Sequence, residues 1–579
     1  MSQPLGAFVM VLHGHIPYVL GHSTWPHGSM MLYEAAAETY LPLLWSLEEL
    51  VAEGISPNIT MSLSPITVEQ LSDARFKRWF ESYLSGKMQV AAENAREFDR
   101  HRQGHLAYLA QQWQGRYRAL REAFIDGYGR DIVGAFRRMQ DGGHIEVMTC
   151  AATHGYLPLL HEDVSVQAQI LQAVENYERH FGRRPRGIWL PECAYRPKCH
   201  WAPPPEIGYP ETPYPRKGIE EFVGENGFDY FIVETHMLGG GHPQPVEVRR
   251  EDTLGKAWSH LRHVREASTY WGPNTPYRPY FVGTDIENHP PVAVMARDPE
   301  TSQQVWSGWH GYPGDPWYLE FHRKQAPGDL RYWRVTDDSG DLGAKAWYEP
   351  QRADDMILEH AGHFLWLVKE KLRHAPWEGG MPVVCAPFDA ELFGHWWFEG
   401  PRWLAKTLRW MNQDPELQVM TASAYLGTHS PDRALALPEG SWGAGGGHYI
   451  WMNHDTAWTW HLIYAAEKDY TALVRAHAPG HDEPMKRLLA QAGRCLLLMQ
   501  ASDWQFLMTT ESAQDYASRR LRHHYDDYEL VARMARTYAA GKTISQAEWA
   551  RFGDICSRDP VFPTLDPTWW QKLRRPAIA

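Results

Sequence analysis

Residues 7–15 read Ala-Phe-Val-Met-Val-Leu-His-Gly-His. The run Ala7–Leu12 is apolar without a break and of strand length, and it stops at two histidines. A strand that is apolar on both faces belongs to a parallel sheet covered on both sides. With no basic flank and no small-residue cleavage site, the segment reads as a buried strand and not as a signal peptide. Working outward, Ser29–Glu53 carries Leu32, Ala36, Tyr40, Leu43, Leu44, Leu47 and Leu50 at helical spacing, and Asn58–Leu63 is a second short strand. Strand, helix, strand opens a βαβ series.

From about Ser72 to Gly142 the sequence turns long, charged and helical, as an insertion into the α/β unit would. Strands are expected again at His144–Cys150, Gly187–Leu190, Tyr230–Glu234, Pro382–Ala386 and near Gln418–Thr421. The Pro-rich stretch Arg196–Arg216 reads as too rigid for a helix or strand interior, and Thr235–Gly255 as irregular. Beyond His461 the chain reads as helical, over Ala466–His477, Glu483–Met499 and Asp515–Ala540. The expected fold is therefore an α/β, barrel-like unit over 1–410 with a helical insertion over about 72–142. An α-helical C-terminal unit follows over 411–579.

Composition narrows the function. The 579 residues carry 57 Lys+Arg against 70 Asp+Glu, a formal net charge of −13, which argues against a nucleic-acid partner. No stretch approaches the ~20 apolar residues of a membrane-spanning helix. Six scattered cysteines suggest a reducing compartment, hence a cytoplasmic protein. Tryptophan is in surplus, 27 against 19 Phe. Trp and Tyr offer flat apolar faces with polar tips, suited to gripping sugar rings, although large core residues account for many of them. The sequence carries no signal for oligomeric state.

Polar residues close several of these strands, where barrel enzymes keep their chemistry. His13 and His15 are two apart and point to one side of an extended chain. Glu192 follows Ile188-Trp189-Leu190-Pro191, and Asp389 and Glu391 follow Val383–Phe388. A carboxylate at the end of an apolar strand is costly for structure alone. Two of them meet the minimum for glycoside chemistry, one as nucleophile and one as proton donor. Carboxylates at such positions also cap helices. His-x-His beside acidic residues, with His154 to complete a set, is also compatible with a zinc or iron site. A glycoside-transforming enzyme, a metal-dependent hydrolase or deacetylase and a non-catalytic glucan-binding protein all remain open on the residues alone.

Five ordered segments together resemble the motifs of glycoside hydrolase family 57. They are His13–Pro17, Gly143–Val147, Trp189–Tyr195, Phe388–Trp396 and Ser502–Phe506. Within the family the likeness is to the 1,4-α-glucan branching enzymes, through Trp306-Ser307, Gly311–Asp315, Ser441–Gly443 and Trp451. The resemblance implies an incomplete (β/α)7 barrel with a helical insertion and a helical C-terminal domain. It implies retaining chemistry on an α-glucan such as amylose, glycogen or an amylopectin-like polymer, with no metal or other cofactor. Glu192 falls on the nucleophile position and Asp389 on the acid/base position. His13, His15 and His154 fall on site-lining histidines, Trp306, Trp442 and Trp451 on aromatic glucan contacts, and Asp503 on the helical domain's contribution to the cleft. One departure stands out. Branching members carry a tyrosine-tipped loop over the cleft, whereas here no tyrosine lies between Tyr230 and Tyr270. A mainly hydrolytic α-amylase or a 4-α-glucanotransferase is the alternative that this departure keeps open.

Overall fold

The structure is a computed structural model. It describes residues 4–209, 211–239, 274–282, 291–337, 340–375, 380–431, 434–477 and 482–573.

Seven strands build the barrel wall: β1 (Gly6–Gly14), β2 (Ile59–Leu63), β3 (Ile145–Cys150), β4 (Ile188–Trp189), β5 (Tyr230–Val233), β6 (Val292–Ala296) and β7 (Val383–Asp389). The order around the wall is β7-β1-β2-β3-β4, all parallel. A single bridge from Gly187 to Tyr230 carries it on to β5, which pairs in parallel with β6. Between β6 and β7 only the Asp298 amide donates to the Cys385 carbonyl, at 2.8 Å. Among the described residues no ladder closes that gap, so the barrel is incomplete. Every residue of β1 is buried, as a strand that is apolar on both faces requires.

The first crossover runs through Ser29–Ala35, a π turn at Ala36–Tyr40 and Leu41–Ala52, which together fill the one helix expected there. The charged insertion forms two long helices that pack on each other, Ala74–Arg100 and Gly104–Glu122, and a shorter one, Ile132–Asp141. Helices Ala457–His477, Glu483–Met499, Asp503–Thr509, Gln514–Ala539 and Gln546–Arg558 make up the C-terminal unit.

Three expectations are corrected. The strand β6 had no counterpart in the sequence reading. The Pro-rich stretch is not wholly irregular, since Cys199–Trp201 pairs antiparallel with Tyr214–Arg216. Pro215 is tolerated because a two-stranded ribbon leaves edges where a missing N–H costs nothing. Leu417–Val419 pairs with Gly6–Phe8 of β1, so the barrel's sheet reaches past a seam at 410. The loop in question over 235–255 is described only to Gly239, and the stretch that lacks a tyrosine lies outside the described residues. Among the described residues no helix is long and apolar enough to cross a membrane. All six cysteines are unpaired.

Candidate active site

All seven strands deliver a polar group to one end of the barrel. Residues in or just after β1 give His13 and His15, β2 gives Ser62 and Ser64, and β3 leads to His154. Glu192 follows β4, Glu234 follows β5, Arg297 follows β6, and β7 ends in Asp389 with Glu391 two residues on. Parallel strands present one shared C-terminal rim, which explains why residues far apart in sequence converge there.

The three histidines form a layered cluster. His15 stacks on His154 with ring centroids 4.0 Å apart, and His13 stacks on Trp189 at 4.7 Å. The Nε2 atoms of His13 and His154 lie 3.1 Å apart, one donating and one accepting. Each ring also meets a hydroxyl through Nδ1: His13 with Ser62 at 3.0 Å, His15 with Ser64 at 2.8 Å and His154 with Ser502 at 2.8 Å. Burial pushes His13 and His154 well below the usual imidazole range, and the neighbouring His15 adds to both. Burial opposes the charged form of His15 as well. Asp503, whose carboxylate accepts from its Nε2 at 3.0 and 3.1 Å, together with Glu391 and Glu192, outweighs that and raises its pKa. Of the three rings, His15, the one that touches the helical unit, is thus the one whose surroundings favour the charged form.

Glu192 occupies the left-handed backbone region with φ 62°, which a non-glycine residue adopts at a cost. The turn aims its carboxylate at the cluster. Oε2 accepts from the Trp442 indole N–H at 2.7 Å, and Oε1 from the Ser502 hydroxyl at 3.4 Å. Burial pushes its pKa up to about 7; Trp442 and His15 work in the opposite direction, while Asp503 adds to the rise. Asp389 has no such donor among the described contacts. Burial, with Glu391 and Glu192 nearby, raises it well above the usual carboxylate range, and only Arg297 opposes. Glu391 is buried, accepting from the His15 amide at 3.1 Å and from the Tyr40 hydroxyl. A half-buried carboxylate with two donors beside one with none is an arrangement that separates an ionised group from a protonated one.

The tryptophans divide. Trp306 ends helix Pro299–Trp306 and lies half-buried 6.2 Å from Trp396. Trp442 is also half-buried, but its N–H is engaged by Glu192, so it holds a carboxylate and does not simply offer a flat face. Trp451 is 1% exposed and stacks on Tyr156 at 4.5 Å. It has no open ring for a sugar and packs as a wall against the backbone at Gly443. A Cβ at Gly443 would come within 2.5 Å of the Trp451 ring, so that wall needs a glycine next to Trp442.

Sequence reasoning missed Glu234 and Arg297. They form a buried ion pair at 3.1 Å, and the guanidinium lies 5.8 Å from the Trp442 ring centre. Their position immediately after β5 and β6 is the same signal that marks Glu192. Among the described residues two groups at this rim could hold a cation on geometry, His13 with Cys150 and His154, or His15 with His154 and Asp503. In both, the histidines already have partners on their second ring nitrogens, as metal-bound histidines do. The chemistry of the carboxylate pair does not call for an ion.

The fold and this rim define a class. Residues 9–438 match the family model of glycosyl hydrolase family 57, and the chain belongs to that family. Residues 462–570 match the model described as 1,4-alpha-glucan branching enzyme, C-terminal. The 1,4-alpha-glucan branching enzyme of Thermococcus kodakarensis is 41% identical over 91% of this chain and 73% of its own. The crystal structure of a family 57-type branching enzyme from Pyrococcus horikoshii superposes with a TM-score of 0.86 at 38% identity, over 99% of this chain and 98% of that one. The α-amylase AmyC of Thermotoga maritima gives 0.77 at 27% identity, over 98% and 99%.

Proposed function

We propose that this protein is a retaining 1,4-α-glucan branching enzyme. It cleaves α-1,4 bonds of an amylose-, glycogen- or amylopectin-like chain and rejoins the cut end to a 6-hydroxyl as an α-1,6 branch. The observation that carries the reading is the carboxylate pair at the barrel rim, one member held by an indole N–H and a hydroxyl and the other with no donor among the described contacts. The helical unit that matches the branching-enzyme C-terminal model supports it by supplying Ser502 and Asp503 to the same rim.

In this reading ionised Glu192 attacks the anomeric carbon while protonated Asp389 gives its proton to the departing glycosidic oxygen. Asp389, now a carboxylate, then takes the proton of the incoming 6-hydroxyl, which attacks the glycosyl–Glu192 ester and regenerates the ionised carboxylate. His13, His15 and His154 line the subsite where the bond breaks, and Asp503 fixes His15. Trp306 and Trp442 border the sugar path. Transfer prevails over hydrolysis when the acceptor is positioned and water is excluded.

The chain divides, on the same reading, into a catalytic barrel unit and a helical unit that closes one side of the cleft. We place the protein in the cytoplasm, where six unpaired cysteines are stable. The α-amylase of T. maritima and the missing tyrosine favour a second reading, hydrolysis. Incubation with amylose followed by enzymatic debranching separates the two. Short side chains released only by the debranching step are expected; amylose shortened before that step, with none released by it, would replace branching by hydrolysis.

A further inference from the structure

Outside the rim, two exposed indole rings stand close together on the flank of the barrel. The loop that begins at Trp306 continues through Trp309, which is 52% exposed, to Tyr312 and Asp315. It faces helix Pro350–His374, whose inner side packs on the barrel, with Phe364 edge-on to Phe8 of β1 at 5.8 Å. Between loop and helix lies a concavity of about 320 Å3, lined by Trp309, His310, Asp315, Glu359, His360 and His363 among others. One turn further along the helix stands Trp366, 54% exposed and 5.5 Å from the His363 ring.

The floor is built. Tyr312 stacks on His360 at 4.5 Å and meets His363 Nδ1 through its hydroxyl at 2.7 Å, and the Tyr318 hydroxyl meets His360 Nδ1 at 2.8 Å. Trp309 lines the hollow and Trp366 stands beside it past His363, so two half-exposed indole rings border one polar hollow. Flat rings flanking carboxylates and imidazoles match a sugar chain, which stacks its ring faces and hydrogen-bonds its hydroxyls. A net charge of −13 disfavours an anionic polymer. Helix Pro350–His374 lies on the barrel's outer side, whereas Trp306 sits near Trp396 in the segment that follows β7, so the loop runs from the cleft's edge outward.

We propose that Trp309, the adjoining hollow and Trp366 form a second α-glucan-binding surface, outside the catalytic cleft, that retains the part of a long chain extending past Trp306. The proposal rests on the glucan reading above. It is tested with Trp309→Ala, Trp366→Ala and the double variant, using migration in native gels that contain amylopectin and turnover of long amylose and of maltoheptaose. The double variant should lose about fivefold in amylopectin affinity and gain a similar factor in KM for amylose. Its kcat/KM for maltoheptaose, too short to reach the flank, should stay within about twofold of the unaltered protein. Unaltered gel retardation and amylose KM in a variant that turns over maltoheptaose normally would remove the surface and leave the active-site reading standing. An unaltered protein that neither binds amylopectin nor turns over either glucan would remove both.

Discussion

Glu192 and Glu467 are two glutamates, each pushed up to about 7 by loss of solvent. Their surroundings differ in kind. Glu467 is fully enclosed, its Oε2 accepting from the amides of His161 and Glu162 at 2.8 and 2.9 Å and its Oε1 from Gln500 at 2.7 Å. It ties helix Ala457–His477 to the loop after β3, and Gln500 passes the connection to Gln169 at 2.9 Å. Glu192 stands at a strand end on a strained turn, 14% exposed, with a donor on each oxygen. A raised carboxylate pKa therefore marks loss of solvent in both places, and only the strand-end position, the strain and the partial exposure mark chemistry.

The sharpest break of that comparison is Glu192→Gln set against Glu467→Gln. Loss of the nucleophile should lower turnover by roughly 10^4-fold or more while glucan affinity holds. Glu467→Gln should keep most of the activity, as measured by iodine-staining loss on amylose; equal losses in the two variants would end the distinction.

A smaller effect is expected at the domain seam. Asp503→Asn removes the charge that most raises the His15 pKa. A charged hydrogen bond of ~1.5–3 kcal/mol corresponds to roughly 10- to 150-fold in kcat, with little change in melting temperature. A large fall in melting temperature at unchanged kcat would make Asp503 merely structural.

The Trp442 indole lowers the Glu192 pKa, so Trp442→Phe should raise it further. The acid limb of the kcat/KM profile, expected near pH 7 in the unaltered protein, should then move upward by about one unit. A limb that stays in place would detach it from Glu192.

The smallest effect is on stability. Glu467 has a folded pKa near 7 against about 4.3 for a free glutamate, so the folded state binds more protons across that window. Its stabilising contribution is complete below the unfolded value and is lost as pH rises through about 7. Melting temperatures measured from pH 4.5 to 7.5 should fall less steeply in Glu467→Gln; parallel curves would contradict the assignment.

Much of this was legible before any coordinates. β1, β4 and β7 are apolar runs that stop at His13, near Glu192 and at Asp389, and an apolar strand closed by a charge is readable from single residues. β6 was not, because Val292–Ala296 lies between Pro291 and Arg297-Asp298-Pro299 and reads as one more short loop. With it went Arg297 and its partner Glu234. Ser62 and Ser64 carry no signal of their own; they matter only because β2 lies beside β1. Trp442 shows a different limit. Its residue type suggests a platform for sugar, yet the direction of its N–H depends on a fold that brings position 442 to position 192. Trp451 failed for the same reason, since a motif does not say which of two neighbouring indoles faces the cleft.

The central claim is that Glu192 forms the covalent bond to the glucan, and trapping tests it most directly. An α-maltosyl fluoride slowed by a second ring fluorine should leave its sugar on the protein, and peptide mass spectrometry should place that sugar on Glu192. A sugar found on Asp389, Glu391 or Glu234 instead, or none accumulating while the reagent is consumed, would contradict the assignment.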